Sequence, residues 1–320
     1  MITKYQDLAR NGNNRPSRFV SSVSVILYFY LFLGGIIASF PVIYVLITNR
    51  DSMFDPLMST DTMAFIEKYV DPVANYIFTN LSIFFMLLGV LIAVKWIHNR
   101  PFGTLINYSG KIKWSRFGIG FLVYGVLISM GTAVDYIMNP EIYSLSIDLS
   151  KFLFTLPLIL IMTPLQTTTE ELVFRGYIIQ SFGLKIKNGL VLSAISGVLF
   201  TLPHLANPEV YASNKLGVIS TICMILNYFV IGMVLAMITI RTNSLEAAMG
   251  AHAVNNLFCF ILVGYPDTAL PTNTVFYTSS FEPVGGLVSA LITAVLFYFI
   301  TAALIKNPEL SASGTQENRN

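Results

Sequence analysis

Apolar runs of about twenty residues alternate with short polar stretches along the chain. A helix rising 1.5 Å per residue crosses a hydrocarbon core of about 30 Å in about 20 residues. Eight runs meet or approach that length: residues 19–48, 72–97, 117–138, 151–182, 189–205, 218–240, 245–264 and 284–305. The fifth and seventh are the shortest. The ten-residue alternating segments of a membrane barrel are absent. The pattern predicts an all-α fold, a polytopic membrane bundle of about eight transmembrane helices. The loop 49–71 carries a short amphipathic stretch near 60–69, and the tail 309–320 is polar and expected to be disordered. Small residues four apart, Ser193 with Gly197 and Gly232 with Ala236, suit close helix packing. No internal repeat and no soluble domain is visible.

Composition agrees with a membrane origin. Hydrophobic residues make up 54% of the 320 and charged residues 11%, with a mean hydropathy of +0.67. Soluble domains carry about 25% charged residues, so a water-soluble fold is excluded. The first apolar run follows a basic leader with Lys4, Arg10, Arg15 and Arg18; it is too long for a signal-peptide core and reads as a retained span. Net charge, +2, says little, but its distribution says more. Every Lys and Arg except Arg50, Lys68, Lys151 and Lys215 falls in the leader, around 95–116, at 175–187, at Arg241 or from Lys306 onward. Asp51, Asp55, Asp61, Glu67, Asp71, Glu141, Asp148, Glu209, Asp267 and Glu282 fall on the alternate loops. Positively charged loops stay in the cytoplasm, so both termini are expected there, in a multi-pass plasma-membrane protein. Cys223 and Cys259 lie in apolar runs and read as small core hydrophobes.

Ionisable groups inside a span are costly and usually functional. Three spans carry them: the fourth has Glu170, Glu171 and Arg175 after three threonines, the fifth ends in Phe200 and His204, and the seventh has His252, Asn255 and Asn256. Glu170 lies 15 residues before Lys185, and His204 lies 17 after Lys187. On unbroken helices these are about 22 and 25 Å from the same loop, hence at similar depth. His252, 11 residues after Arg241, is shallower at about 16 Å, unless a loop at 242–244 changes the register. The three groups are therefore expected to converge on one buried point.

Helix geometry sorts their roles. Glu171 and Arg175, four apart, share a face and form a structural ion pair. Glu170 lies about 100° round the helix, clear of the arginine. A carboxylate beside a histidine in a partly dry cavity serves as a general base. His252 and Asn256, also four apart, present an imidazole and an amide to a developing oxyanion. Pro164 and the hydroxyls of Thr167, Thr168 and Thr169 loosen the helix beside Glu170. The inert readings of these residues are a protonated Glu170 bonded to a helix carbonyl, an interfacial His204 and an Asn256 acting as interhelical glue.

These segments resemble the CAAX prenyl protease and bacteriocin-processing family of intramembrane proteases, also called the Abi family. Glu170, Glu171 and Arg175 match its EExxxR motif, Phe200 and His204 its FxxxH motif, and His252 and Asn256 its HxxxN motif, in order, within 157–262. The resemblance implies a helix bundle with an intramembrane cavity open to the cytosol. It implies three parts: transmembrane helices over 1–150, a catalytic core over 151–265, and a last helix with the tail over 266–320. It implies an endopeptidase for membrane-associated, prenylated or pheromone-type peptides. The plain eight-span organisation with short loops looks bacterial. In such an endopeptidase Glu170 and His204 activate water, and His252 and Asn256 stabilise the oxyanion. Its expected partners are the lipid bilayer and a peptide or membrane-protein substrate, with no nucleic acid. The family is often described as metalloproteases, and Glu170, His204 and His252 could bind zinc if all three converged. No HExxH is present, and the same residues suffice for a metal-free mechanism, so no cofactor is assigned. A non-catalytic scaffold or immunity protein with the same fold is the alternative. A transporter fits less well, because no pair of related halves is visible.

Overall fold

The computed structural model describes residues 4–306, and the tail expected to be disordered lies outside them. All eight expected segments are helical. The first span is α1 (Pro16–Thr48), followed by the short α2 (Thr62–Tyr69), the amphipathic helix expected in that loop. Then come α3 (Pro72–Ile97), α4 (Trp114–Met138) and α5 (Leu149–Phe182). Next, α6 (Gly189–His204) meets α7 (Pro208–Lys215) at an 82° bend. The chain continues through α8 (Val218–Thr242), α9 (Glu246–Leu257) with wide π-helical turns over Phe258–Leu262, and α10 (Pro283–Leu304). Six of these helices are long and apolar enough to cross a membrane, seven if the bent α6–α7 pair is one crossing. The remaining segment, α9, is short, and Glu246 to Val254 are all buried within the protein.

Local chemistry sets where the helices begin. Asp61, Asp71, Asp148 and Asn188 each accept hydrogen bonds from backbone N–H groups of the first turn that follows. Pro16, Pro72, Pro208 and Pro283 occupy first-turn positions, where no backbone donor is needed.

Glycines allow the backbones around the polar residues to approach. A Cβ on Gly120 of α4 would lie 2.0 Å from the Ala247 carbonyl oxygen, and one on Gly250 of α9 would lie 2.1 Å from that of Phe117. A Cβ on Gly232 of α8 would lie 3.0 Å from Gly197 Cα of α6. Without a hydrophobic force between helices in lipid, such close contact is a main source of packing energy.

The basic segments converge on one face. The leader folds back as a 3₁₀ helix, Tyr5–Asn11. The Tyr5 hydroxyl donates to the Leu105 carbonyl, and its N–H donates to Asn243 Oδ1 at 3.0 Å. Lys187 pairs with Asp7 at 2.6 Å. On the opposite face a small sheet closes the bundle, which the sequence did not foretell. Strand β1 (Tyr143–Leu145) and the two-residue β2 (Val263–Gly264) flank β3 (Phe276–Thr278), antiparallel and parallel to it respectively. Strands this short carry no readable alternation.

One titratable group on the basic face gives a pH dependence. His98 Nδ1 lies 2.8 Å from the Asn13 carbonyl, which only accepts, so Nδ1 carries the proton. Nε2 then accepts from the Tyr177 hydroxyl at 3.0 Å. Burial holds the His98 pKa below its ordinary value, with Arg100 and Arg18 adding to the effect. Stability from the neutral ring is therefore present above about pH 6.5, the unfolded value, and is lost as pH falls through the lower folded value. Thermal midpoints in detergent are expected to drop as pH falls below about 6.5, and His98→Gln should flatten that part of the profile.

Candidate active site

The polar residues of α5, α6 and α9 meet inside the bundle. α5 carries Pro157 and Pro164. Thr167 and Thr169 return hydroxyl hydrogen bonds to the Thr163 and Leu165 carbonyls one turn back. Glu170 and Glu171 follow, and over Leu172–Ile178 the helix widens into π-helical turns. Such widenings recur at functional sites.

Glu171 and Arg175 are fully buried and paired at 2.6 Å. The arginine also reaches the Gly232 carbonyl at 3.3 Å and stacks on Phe200, its guanidinium carbon 4.2 Å from the ring centre. Glu171 does more than the sequence suggested, because the same oxygen that takes the arginine accepts from His252 Nδ1 at 2.7 Å. The sequence offered only the local arginine, four residues away. The histidine comes from 81 residues further along the chain.

That bond aims the rest of His252. With Nδ1 donating to Glu171, Nε2 faces Glu170, whose Oε2 is 3.8 Å away. The gap exceeds a direct hydrogen bond. Glu170 is 8% exposed, and its other oxygen accepts from Gln166 Nε2 at 3.3 Å. The position of Gln166, one turn before Glu170 and inside a span, is the sign in the sequence that points to this contact.

His204 stands at the end of α6. Its Nδ1 donates to the Phe200 carbonyl at 2.7 Å, so in the neutral ring Nε2 is an acceptor. Its ring packs on Phe200 at 4.4 Å between centres, and His252 meets the same Phe200 ring edge-on at 5.7 Å. Asn256 lies one turn beyond His252. Its Oδ1 accepts from Asn255 Nδ2 at 3.1 Å, which leaves its own amide hydrogens to donate.

Glu171, Arg175 and His252 thus form a buried cluster beside Phe200, with Glu170 next to His252 and the half-buried His204 packed on the same Phe200 ring. The break after Thr242, with Asn243 in the left-handed region at φ 54°, starts α9 already inside the bundle. This offsets the shallower position expected for His252. The residues fit a zinc set poorly. Among the described residues no three His, Cys, Asp or Glu side chains are arranged to hold a metal ion.

The family model for Type II CAAX prenyl endopeptidase Rce1-like proteins matches residues 151–258, the stretch that carries every residue of this cluster. A Bacillus subtilis (strain 168) protein described as "Uncharacterized protein YyaK" is 34% identical over 255 residues, 79% of this chain and 79% of that one. No solved structure matches the chain.

Proposed function

The chain belongs to the CAAX prenyl protease and bacteriocin-processing family, and from that premise we propose that it is an intramembrane endopeptidase acting through a water held between Glu170 and His204. The observation that carries the reading is the ordered set of contacts from Arg175 through Glu171 to His252, with Glu170 next to it and His204 on the shared Phe200 ring.

Each step uses a group already oriented. The water donates one hydrogen to His204 Nε2 and the other to Glu170. Glu170 takes a proton as the oxygen attacks the peptide carbonyl carbon. The oxyanion is met by the Asn256 amide and by His252 Nε2–H in the doubly protonated ring, which Glu171 holds from behind. Donors fixed in a dry site stabilise developing charge far more than mobile water does. Collapse breaks the C–N bond, and Glu170 returns its proton to the leaving nitrogen. The Glu171–Arg175 pair stays out of the chemistry and fixes the imidazole.

Substrates in this reading are peptides at the membrane, lipid-modified or spanning. In this reading both termini face the cytoplasm across the plasma membrane, which the gathering of the basic leader and the basic loops at 95–116 and 183–188 on one face supports.

The test is cleavage of labelled peptides, with and without a prenyl group, by purified protein in liposomes. Loss of one positioned acid–base group costs about 10²–10⁴-fold in rate, and His204→Ala is expected to fall in that range. Cleavage by His204→Ala at the wild-type rate would rule the assignment out, as would solute flux that depends on Glu170 without any cleavage.

A further inference from the structure

We propose that Tyr228 of α8 is a positioning residue for His204, held in place by Glu209 and Asn207 across the α6–α7 bend. The proposal deepens the proteolytic reading and rests on it for its catalytic consequence, though not for the geometry.

His204 lies between two rings. Phe200, from its own helix, is 4.4 Å away and tilted by 41°, and Tyr228, from the neighbouring helix, is 4.5 Å away and tilted by 37°. Phe200 supplies the ring on one side and the carbonyl that takes the Nδ1 proton. Tyr228 closes the other side. At the last residue of α6, next to the bend, that second side would otherwise be unsupported.

Tyr228 is itself strapped. Its hydroxyl donates to Glu209 Oε1 in a short hydrogen bond. Asn207 Nδ2 donates to the Tyr228 hydroxyl at 3.0 Å and to the same Glu209 oxygen at 3.3 Å. Glu209 is only 4% exposed, and its other oxygen is buried without a partner. Burying a carboxylate this way is costly, and the cost falls on a residue whose contacts lead to His204. The 82° bend is what brings Asn207 and Glu209 over α8. The sequence pattern assigned Glu209 to an acidic loop, and nothing in the three matched motifs includes Tyr228 or Asn207.

The test reads His204 directly. The chain has three histidines, so imidazole-¹⁵N spectra of the full-length protein in detergent are assignable with His98→Gln as a reference. In the wild type His204 is expected as a single tautomer protonated on Nδ1. In Tyr228→Leu the two ring nitrogens are expected to average. Misplacement of a reacting group by about 1 Å costs about 100-fold, so Tyr228→Leu should lower kcat by that order and leave KM within about twofold. Tyr228→Phe keeps the ring and loses the strap, with an expected loss of about fivefold, well inside that limit; it decides the matter if Tyr228→Leu does not fold. Glu209→Gln still accepts the hydroxyl and should rescue nearly full activity, whereas Glu209→Ala should behave like Tyr228→Phe.

A single unaveraged His204 tautomer with unchanged kcat in the Tyr228 variants would overturn the proposal. So would equal losses in Glu209→Gln and Glu209→Ala. If the wild type cleaves no peptide while the tautomer still depends on Tyr228, the proteolytic reading fails and the bracket stands. If cleavage proceeds and His204 ignores Tyr228, the bracket alone fails.

Discussion

Glu170→Gln is expected to reduce peptide cleavage by about 10⁴-fold, the upper end for loss of a general base, while leaving the protein folded. Glutamine has the size of glutamate, and its carbonyl oxygen still accepts from Gln166, which now holds Glu170 at 3.3 Å. It cannot accept the proton of an attacking water at neutral pH. Folding should suffer little, because the buried ion pair uses the other carboxylate, Glu171, at 2.6 Å from Arg175. Removing a charge that is only 8% exposed relieves a desolvation cost, so the thermal midpoint should hold or rise. Initial rates in liposomes and melting in detergent, taken on the same preparation, separate the two effects.

Arg175→Met is expected to act in the opposite way, destabilising the protein by about 3–5 kcal/mol through the loss of one partner of a buried pair. The arginine is fully buried and makes three contacts: Glu171, the Gly232 carbonyl and the face of Phe200. Methionine leaves Glu171 with His252 as its one remaining hydrogen-bond donor among these. A lysine would restore the charge without the planar fork that spans Glu171 and Gly232, and should rescue only part of the loss. Adding Glu171→Gln to Arg175→Met removes the stranded charge, so the double variant should melt above Arg175→Met alone. Activity should stay low in the double variant, since His252 there loses the carboxylate that aims it.

Much of this was legible in the residue order, for definite reasons. Hydrocarbon thickness imposes long apolar runs, so α1, α3, α4, α5, α8 and α10 stood out by length. Helical spacing gave the Glu171–Arg175 pair, because residues four apart on one helix meet whatever surrounds them. What stayed hidden depends on contacts between distant segments. The bond from His252 to Glu171 joins two helices and has no signature in either. Glu209 read as one more loop acid until the bend turned it into the protein. Tyr5 sits in a polar leader, yet it is fully buried against Leu105 because the leader folds back under the basic face. The β1–β3–β2 sheet rests on backbone pairing among strands of two or three residues, too short for any side-chain pattern.

The central claim is that Glu170 and His204 lie on one side of a peptide carbonyl and His252 and Asn256 on the other. An experimental structure of the protein with a phosphinate peptide, a stable mimic of the tetrahedral intermediate, tests it most directly. One phosphinyl oxygen is expected within about 3.2 Å of His252 Nε2 and Asn256 Nδ2, and the other beside the Glu170 carboxylate and His204 Nε2. A mimic seated away from Phe200, or one held with Glu170 turned out of reach of both oxygens, would contradict it.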